Sequence, residues 1–484
     1  MVAEWVMEET RTLELPDKRL NARLRVVLSQ LAERPAASIP AACGGHAEMT
    51  AAYRLFDNEK TTFESILKSH EDATRGRVAA QTVVILAQDT TEVDLTRPHS
   101  RVAGVGPLDH SREGALLHLL HAFTPDGTPL GSLGAKAWTR DEHELPTASK
   151  SRAERAATRI EQKESYRWVT TLRAAQQVAD GCPATTCVCV SDSEADIYEV
   201  LAEATSQSQP LEWIVRACQN RALSQECRAE PSARYLREQL LSQPVLFRRT
   251  IDHRGREAKV ACETRRRRQA RAPRQIELLV RAGQVTLRPP YRADRKLPEV
   301  TFNVVLASEA DPPRGQDPVE WLLLTSLPIG DAEQVRRVIE YYSTRWMIEV
   351  LFRVLKSGCR IEERRFETLD RLLPCLAVYL IIAWRTLYVC RLGRSCPHVS
   401  CEAVFDLAEW KSVWKVLRGE DPPEVPPKLG EMVRLVAQLG GYVNRKRAAP
   451  PGPQTLWIGL QRTHDFATCW RLFGPGTPNQ RHVV

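Results

Sequence analysis

The chain has 484 residues, with 68 Lys and Arg against 60 Asp and Glu, a formal charge of +8 and a pI near 8.9. That length is too great for one simple core and predicts two to four domains, and the basic balance admits a polyanionic partner. Thirteen Cys without a CxxC pair or a Cys/His spacing suited to zinc argue against a structural zinc class and predict reduced thiols in a cytoplasmic protein.

The start, Met1-Val2-Ala3-Glu4-Trp5, does not read as a signal peptide, and none is expected. Residues 1–75 read as short helices: Leu20, Leu24, Val27, Leu28 and Leu31 have helical spacing, with Lys18, Arg19, Arg23 and Arg25 between them. A small helical module with basic edges suits a DNA reader that lays a helix in a groove. An ordinary helical cap is the other reading.

From Thr82 the texture changes to strands. Val83-Val84-Ile85-Leu86-Ala87 is a continuous apolar run, as a strand buried on both faces requires, and it is expected to end in Gln88-Asp89-Thr90-Thr91. Runs at 116–123 and 129–137 flank Pro125-Asp126-Gly127 and predict a hairpin. A helical segment is expected over about 151–179. Then Thr186-Cys187-Val188-Cys189-Val190 predicts a strand ending in Asp192, before a helix that continues through Ala204. Asp192 reads equally as that helix's N-cap. A further strand is expected at 211–215. In an open mixed sheet with the first strand central and the fourth beside it, Asp89 and Asp192 face one another.

Residues 216–318 read as an Arg-rich β insertion, with strands expected at 246–251, 258–262, 276–280, 285–287 and 301–306 and a turn at 252–255. The run Arg265-Arg266-Arg267-Arg268 is a solvated loop or a phosphate track. Residues 331–356 lack Gly and Pro and predict a single helix. At about 100° per residue, Tyr342, Arg345, Glu349 and Lys356 fall within an arc of roughly 60°, placing one carboxylate among three phosphate-compatible groups. Plain i,i+4 salt bridging is the competing account. The apolar run 372–384, which contains Pro374, predicts a core helix too short to span a bilayer, so no membrane partner is expected. After Arg394 the chain reads as helical patches separated by prolines, with apolar spacing at 429–439 and 456–460 that suits a partner helix or internal packing.

Four motifs in order carry a resemblance: Gln88-Asp89-Thr90-Thr91, Ser191-Asp192-Ser193-Glu194-Ala195-Asp196-Ile197, Trp321-Leu322-Leu323-Leu324-Thr325-Ser326, and the Tyr-x2-Arg-x3-Glu-x6-Lys spacing of Tyr342, Arg345, Glu349 and Lys356. The chain resembles the bacterial DDE transposases of the insertion-sequence-four type with the YREK signature, and among them the transposon-five group. The resemblance implies an RNase H-like mixed α/β sheet with a β-strand insertion, flanked by helical N- and C-terminal domains. It implies a DNA-binding domain at 1–75, a catalytic core at 76–215 closed by 319–394, the insertion at 216–318, and a dimerising region at 395–484. One departure is visible: relatives usually carry Arg after the second Asp, where this chain has Ser193.

The implied activity is cut-and-paste transposition through nicking, hairpin formation and strand transfer, on double-stranded DNA and as a homodimer. Asp89, Asp192 and Glu349 are then the catalytic carboxylates, holding two Mg²⁺, or Mn²⁺ in their place. Hard oxygen donors suit such ions, and a two-metal site activates the attacking oxygen and stabilises the leaving one. Tyr342, Arg345 and Lys356 are expected on phosphates, Trp321 and Trp346 on a flipped base, and Arg216 and Arg221 as basic DNA contacts. The blander readings are core aromatics for the tryptophans and a solvated loop for the two arginines. Two other functions stay open at this level: an RNase H-like nuclease without strand transfer, and a non-catalytic DNA-binding repressor.

Overall fold

The computed structural model describes residues 2–97, 101–141, 157–206, 210–225, 234–253, 272–316, 318–445 and 449–475. The Arg265 to Arg268 run, the strand expected at 258–262 and part of the turn at 252–255 lie outside them.

Five helices open the chain: α1 (Glu4–Glu9), α2 (Lys18–Glu33), α3 (Ile39–Ala42), α4 (His46–Phe56) and α5 (Phe63–Ala79). Strands β1 (Val83–Asp94), β2 (Gly106–Pro107), β3 (Glu113–Phe123) and β4 (Pro129–Trp138) follow, then α6 (Tyr166–Asp180), β5 (Thr186–Ser191), α7 (Tyr198–Ser206) and β6 (Leu211–Arg216). Next come α8 (Leu236–Leu241), β7 (Phe247–His253), β8 (Arg274–Leu287), β9 (Val300–Glu309), β10 (Glu320–Thr325), α9 (Ala332–Thr344) and α10 (Trp346–Arg353). The remainder is helical: α11 (Leu369–Ser395), α12 (Leu407–Arg418), α13 (Leu429–Leu439) and α14 (Pro453–Phe473).

The strands form a mixed sheet in the order β2-β3-β1-β5-β6-β10-β9-β8-β7, with β4 also paired to β3. This is the mixed α/β class expected, with the hairpin strand β3 and the parallel strand β5 as the two neighbours of β1. The chain packs into two compact units, one of Met1–Ala80, Thr90–Thr139 and Trp346–Val484, the other of Gln81–Asp89 and Arg140–Arg345.

In the second unit, β1 pairs in parallel with β5 and β5 with β6, while β10, β9, β8 and β7 extend the sheet antiparallel. Val84, Ile85, Leu86 and Ala87 are completely buried, the burial that a two-faced apolar run requires. The two strands expected at 276–280 and 285–287 are one long strand, β8, because Arg281, Gly283 and Gln284 stay in register against Leu306, Val304 and Asn303 of β9. Of the helix expected over about 151–179, residues 151–156 lie outside the described residues; within the rest, a 3₁₀ turn at Ile160–Gln162 precedes α6, which runs from Tyr166 to Asp180.

In the first unit, α11 packs against α2, α4, α5, β4 and α13. At 27 residues it is longer than the run expected from sequence, and by length and composition it would pass for a membrane span, yet 83% of its most apolar window is buried inside the protein. The predicted hairpin turn is present. Its Gly127 has φ +86 and lies so close to Arg391 that a Cβ there would fall 2.8 Å from Nη2. Helices α13 and α14 touch backbone to backbone: a Cβ on Gly459 would sit 1.9 Å from the Val436 carbonyl oxygen.

A buried ionic knot ties α1 to α5 in this unit. The Glu9 carboxylate meets His70 Nδ1 at 2.5 Å and accepts from Arg77 Nη1 and Nη2 at 3.0 Å. The Ser132 N–H of β4 donates to His70 Nε2 at 2.9 Å. Burial pushes the Glu9 pKa up, but His70 and Arg77 outweigh it and hold the group at about 2, below its usual 4.5. A depressed carboxylate contributes stability above its unfolded pKa and loses it as pH falls through the folded one. Glu9→Gln is therefore expected to be less stable than the parent by on the order of 3 kcal/mol at pH 6, with the gap closing between pH 4.5 and pH 2. Parallel denaturation of the two proteins at pH 6, 4 and 2.5 checks this; a gap that does not shrink with acid refutes it.

Candidate functional site

The site is built first on β1 and β5. Their register runs from Val83 opposite Thr186 to Gln88 opposite Ser191, so Asp89 and Asp192 each follow the last matched pair on adjacent strands, whose backbones lie about 4.8 Å apart. The completely buried Gln88 closes that pair, donating from Nε2 to Ser191 Oγ at 2.8 Å. Asp89 itself is not at a strand end, since β1 continues to Asp94.

Asp192 caps a 3₁₀ turn, Ser193–Ala195, by accepting the Glu194 N–H at 2.9 Å. The expected continuous helix from this point is interrupted; α7 starts at Tyr198. The second carboxylate oxygen of Asp192 has no hydrogen-bond partner among the described residues. Beyond it, Glu194 pairs with Arg167 at 2.8 Å.

The expected single helix over 331–356 is three segments. Ser343 and Thr344 turn their hydroxyls back onto the carbonyls of Ile339 and Glu340, a bonding mode that bends helices, and α9 stops there. Arg345 follows with its N–H bonded to the Tyr342 carbonyl at 3.1 Å. Its guanidinium Nη1 donates to Asp89 Oδ2 at 2.9 Å, and the two side chains are only 11% and 13% exposed. Tyr342 is buried, with the Arg345 guanidinium 5.9 Å from its ring centre and Trp321 edge-on at 5.7 Å. Trp321, Tyr342, Arg345 and Asp89 thus form one continuous run of contacts within the second unit.

Trp346, Glu349 and Lys356 belong to the first unit. Trp346 is 54% exposed, and Glu349 is half-buried in the first turn of α10. Residues Val354–Gly358 wind as a π turn closed by the Cys359 N–H on the Val354 carbonyl. That wider winding takes Lys356 off the α-helical stripe expected from sequence. Gly358 is needed there, since a Cβ would meet the Trp457 ring at 2.9 Å. Lys356 pairs with Glu362 at 3.2 Å. π turns of this kind recur at functional sites.

The two arginines after β6 have separate surroundings. Arg216 donates to the Glu320 carbonyl at 3.1 Å. Arg221 grips Asp196, which accepts from its Nε at 2.9 Å and its Nη2 at 2.6 Å, and also from the N–H groups of Cys218 and Gln219. The Asp196 side chain is completely buried. Gln88 and Asp196 lie inside the sequence motifs but have no role of their own there: Gln88 is the first polar residue after the apolar run 83–87, whereas Asp196 sits in the polar stretch from Ser191 and nothing in its spacing marks it.

The donor set fits a divalent metal in kind: Asp89 and Asp192 offer only carboxylate oxygens, the hard ligands that Mg²⁺ takes. No three His, Cys, Asp or Glu side chains among the described residues are drawn together tightly enough to hold an ion, and Arg345 engages one Asp89 oxygen in this arrangement.

Comparison with known proteins is consistent along the chain. Residues 2–61 match the family "Transposase DNA-binding", 162–381 match "Transposase DDE domain", and 381–473 match "Transposase Tn5 dimerisation domain". Among solved structures, the cryo-EM synaptic complex of piggyBac transposase with hairpin DNA aligns over 98% of this chain and 79% of its own, at 9% identity and a TM-score of 0.37. On the three family matches, the chain belongs to the Tn5-like DDE transposases, metal-dependent DNA-cleaving enzymes with DNA and a second copy of the chain as partners.

Proposed function

We propose that this transposase moves DNA by cut and paste: it nicks the transposon end with water, closes the freed end as a hairpin, reopens it, and joins the 3′ hydroxyl to target DNA. The observation that carries this reading is the position of Asp89 and Asp192, each directly after the last matched pair of the adjacent strands β1 and β5. Together with Glu349 they would be the carboxylates of the reaction and would hold the metal. Two Mg²⁺ ions, replaceable by Mn²⁺, would supply Lewis acidity to the attacking and leaving oxygens.

The other residues bind and orient DNA. Arg345, Lys356, Arg216 and Arg221 meet phosphates, Arg221 through Nη1, which Asp196 leaves open, and Tyr342 adds a hydrogen bond. Trp321 and Trp346 stack on a base turned out of the duplex, for which the exposed face of Trp346 is suited. The working layout assigns 1–75 to DNA recognition, 76–215 and 319–394 to the catalytic core, 216–318 to the insertion and 395–484 to dimerisation, in a bacterial cytoplasm and associated with the nucleoid when bound to DNA.

Trp321→Ala separates a hairpin-forming transposase from a plain nuclease. A first nick leaves the duplex nearly straight, whereas the hairpin demands a sharp bend that a stacked base relieves. Hairpin formation is expected to slow by about 1–3 kcal/mol relative to nicking. The check is a single-turnover time course that resolves nicked and hairpin products; equal loss at both steps makes Trp321 only a prop for Tyr342.

A further inference from the structure

Asp89 and Asp192 follow a matched pair on neighbouring parallel strands, so two like charges lie close together in a partly desolvated place and need a cation nearby. In the protein alone that cation is Arg345, whose Nη1 reaches Asp89 Oδ2 at 2.9 Å with both side chains mostly shielded from water. Shielding matters because it keeps the pair strong at physiological salt. A metal ion bound through the same oxygen would stand within van der Waals reach of a guanidinium, with like charge. Metal and arginine are therefore rivals for Oδ2.

Arg345 is also placed to leave. It occupies the joint between α9 and α10, at the point where the backbone hydrogen bonding changes from the α to the i→i+3 pattern. The Tyr342 ring lies beside its guanidinium, a flat surface along which the guanidinium swings without losing its packing. A DNA phosphate, with a full negative charge and fork-matched oxygens, offers such a group an alternative partner of equal geometry.

We propose that Arg345 is a counter-ion switch: it closes Asp89 to metal in the DNA-free protein and opens it when a backbone phosphate takes the guanidinium, so that metal loading waits for DNA. This rests on the reading of Asp89 as a metal ligand. By linkage, metal and DNA then strengthen each other's binding by one common factor.

The test is Mn²⁺ titration of the full-length protein followed by electron paramagnetic resonance, without DNA. Arg345→Gln is expected to bind Mn²⁺ about tenfold more tightly than the parent, Arg345→Lys to stay near the parent, and Asp89→Asn to remove the gain when combined with Arg345→Gln. Equal affinity of Arg345→Gln and parent overturns the switch. Failure of Asp89→Asn to alter Mn²⁺ binding in either background instead overturns Asp89 as a ligand. Should Arg345→Gln lose its near-ultraviolet circular dichroism, the parent and Arg345→Lys decide: Mn²⁺ is expected to tighten the parent's binding of a short end duplex, read by fluorescence anisotropy, about tenfold beyond its effect on Arg345→Lys, whose point charge grips phosphate less well. No such difference overturns the proposal.

Discussion

Asp89→Ala, Asp192→Ala and Glu349→Ala are each expected to lower metal-dependent nicking by roughly 10³-fold or more, while end-DNA binding stays within about threefold of the parent. A metal ion's charge stabilisation is worth several kcal/mol in the transition state, and each 1.4 kcal/mol is a factor of ten in rate. Binding is spared because it rests on phosphate contacts made by basic side chains. Asp89 needs a gentler companion, since its loss takes from Arg345 the acceptor at 2.9 Å. Asp89→Asn keeps an oxygen there and is expected to be as inactive as the Ala variant with a fold closer to the parent's. Nicking and gel-shift assays on the same preparations decide the matter. Near-normal nicking by any one of the three Ala variants removes that residue from the reaction.

Asp196→Ala is expected to cost the second unit about 3–5 kcal/mol, the range for breaking a buried ion pair from one side. Four donors converge on this carboxylate: two backbone N–H groups, from Cys218 and Gln219, and two nitrogens of Arg221. Removing it leaves Arg221, 11% exposed, with its charge no longer matched at that place and two N–H groups without their acceptor. Hydrogen exchange read at the Cys218 and Gln219 amides should quicken by two to three orders of magnitude, while amides of α13 and α14 in the other unit keep their rates. Unchanged exchange at both amides would mean that the loop after β6 holds itself without Asp196. Asp196→Asn, which retains an acceptor but not the charge, is expected to fall between the two.

Much of the core was readable because burial writes itself into local pattern. The apolar run of β1 announced a strand covered on both faces, Pro125-Asp126-Gly127 announced the hairpin, and the apolar spacing at 429–439 announced α13. The β1–β5 neighbourhood followed from element order, and with it the approach of Asp89 to Asp192. The break at Arg345 was hidden because residues 331–356 have unbroken helical periodicity; the hydroxyls of Ser343 and Thr344, which bend the helix, are equally compatible with a straight one. The π turn was hidden too, and so was the packing of its Gly358 against the ring of Trp457, 99 positions later in the numbering.

By itself, then, the amino-acid order determined which stretches are strands and helices, which of them are buried, and through its ordered motifs the transposase family to which the chain belongs. Period and composition are properties of neighbours along the chain, so they carry that information. Tertiary structure alone decided the partners of the charged groups: Arg345 on Asp89 across 256 positions, Arg221 on a buried Asp196, Glu9 between His70 and Arg77. An arginine's spacing is the same whether it ends on a carboxylate or in water. Which one it meets depends on what the folded chain brings within 3 Å, where a hydrogen bond's strength falls off too steeply for any local pattern to foretell it.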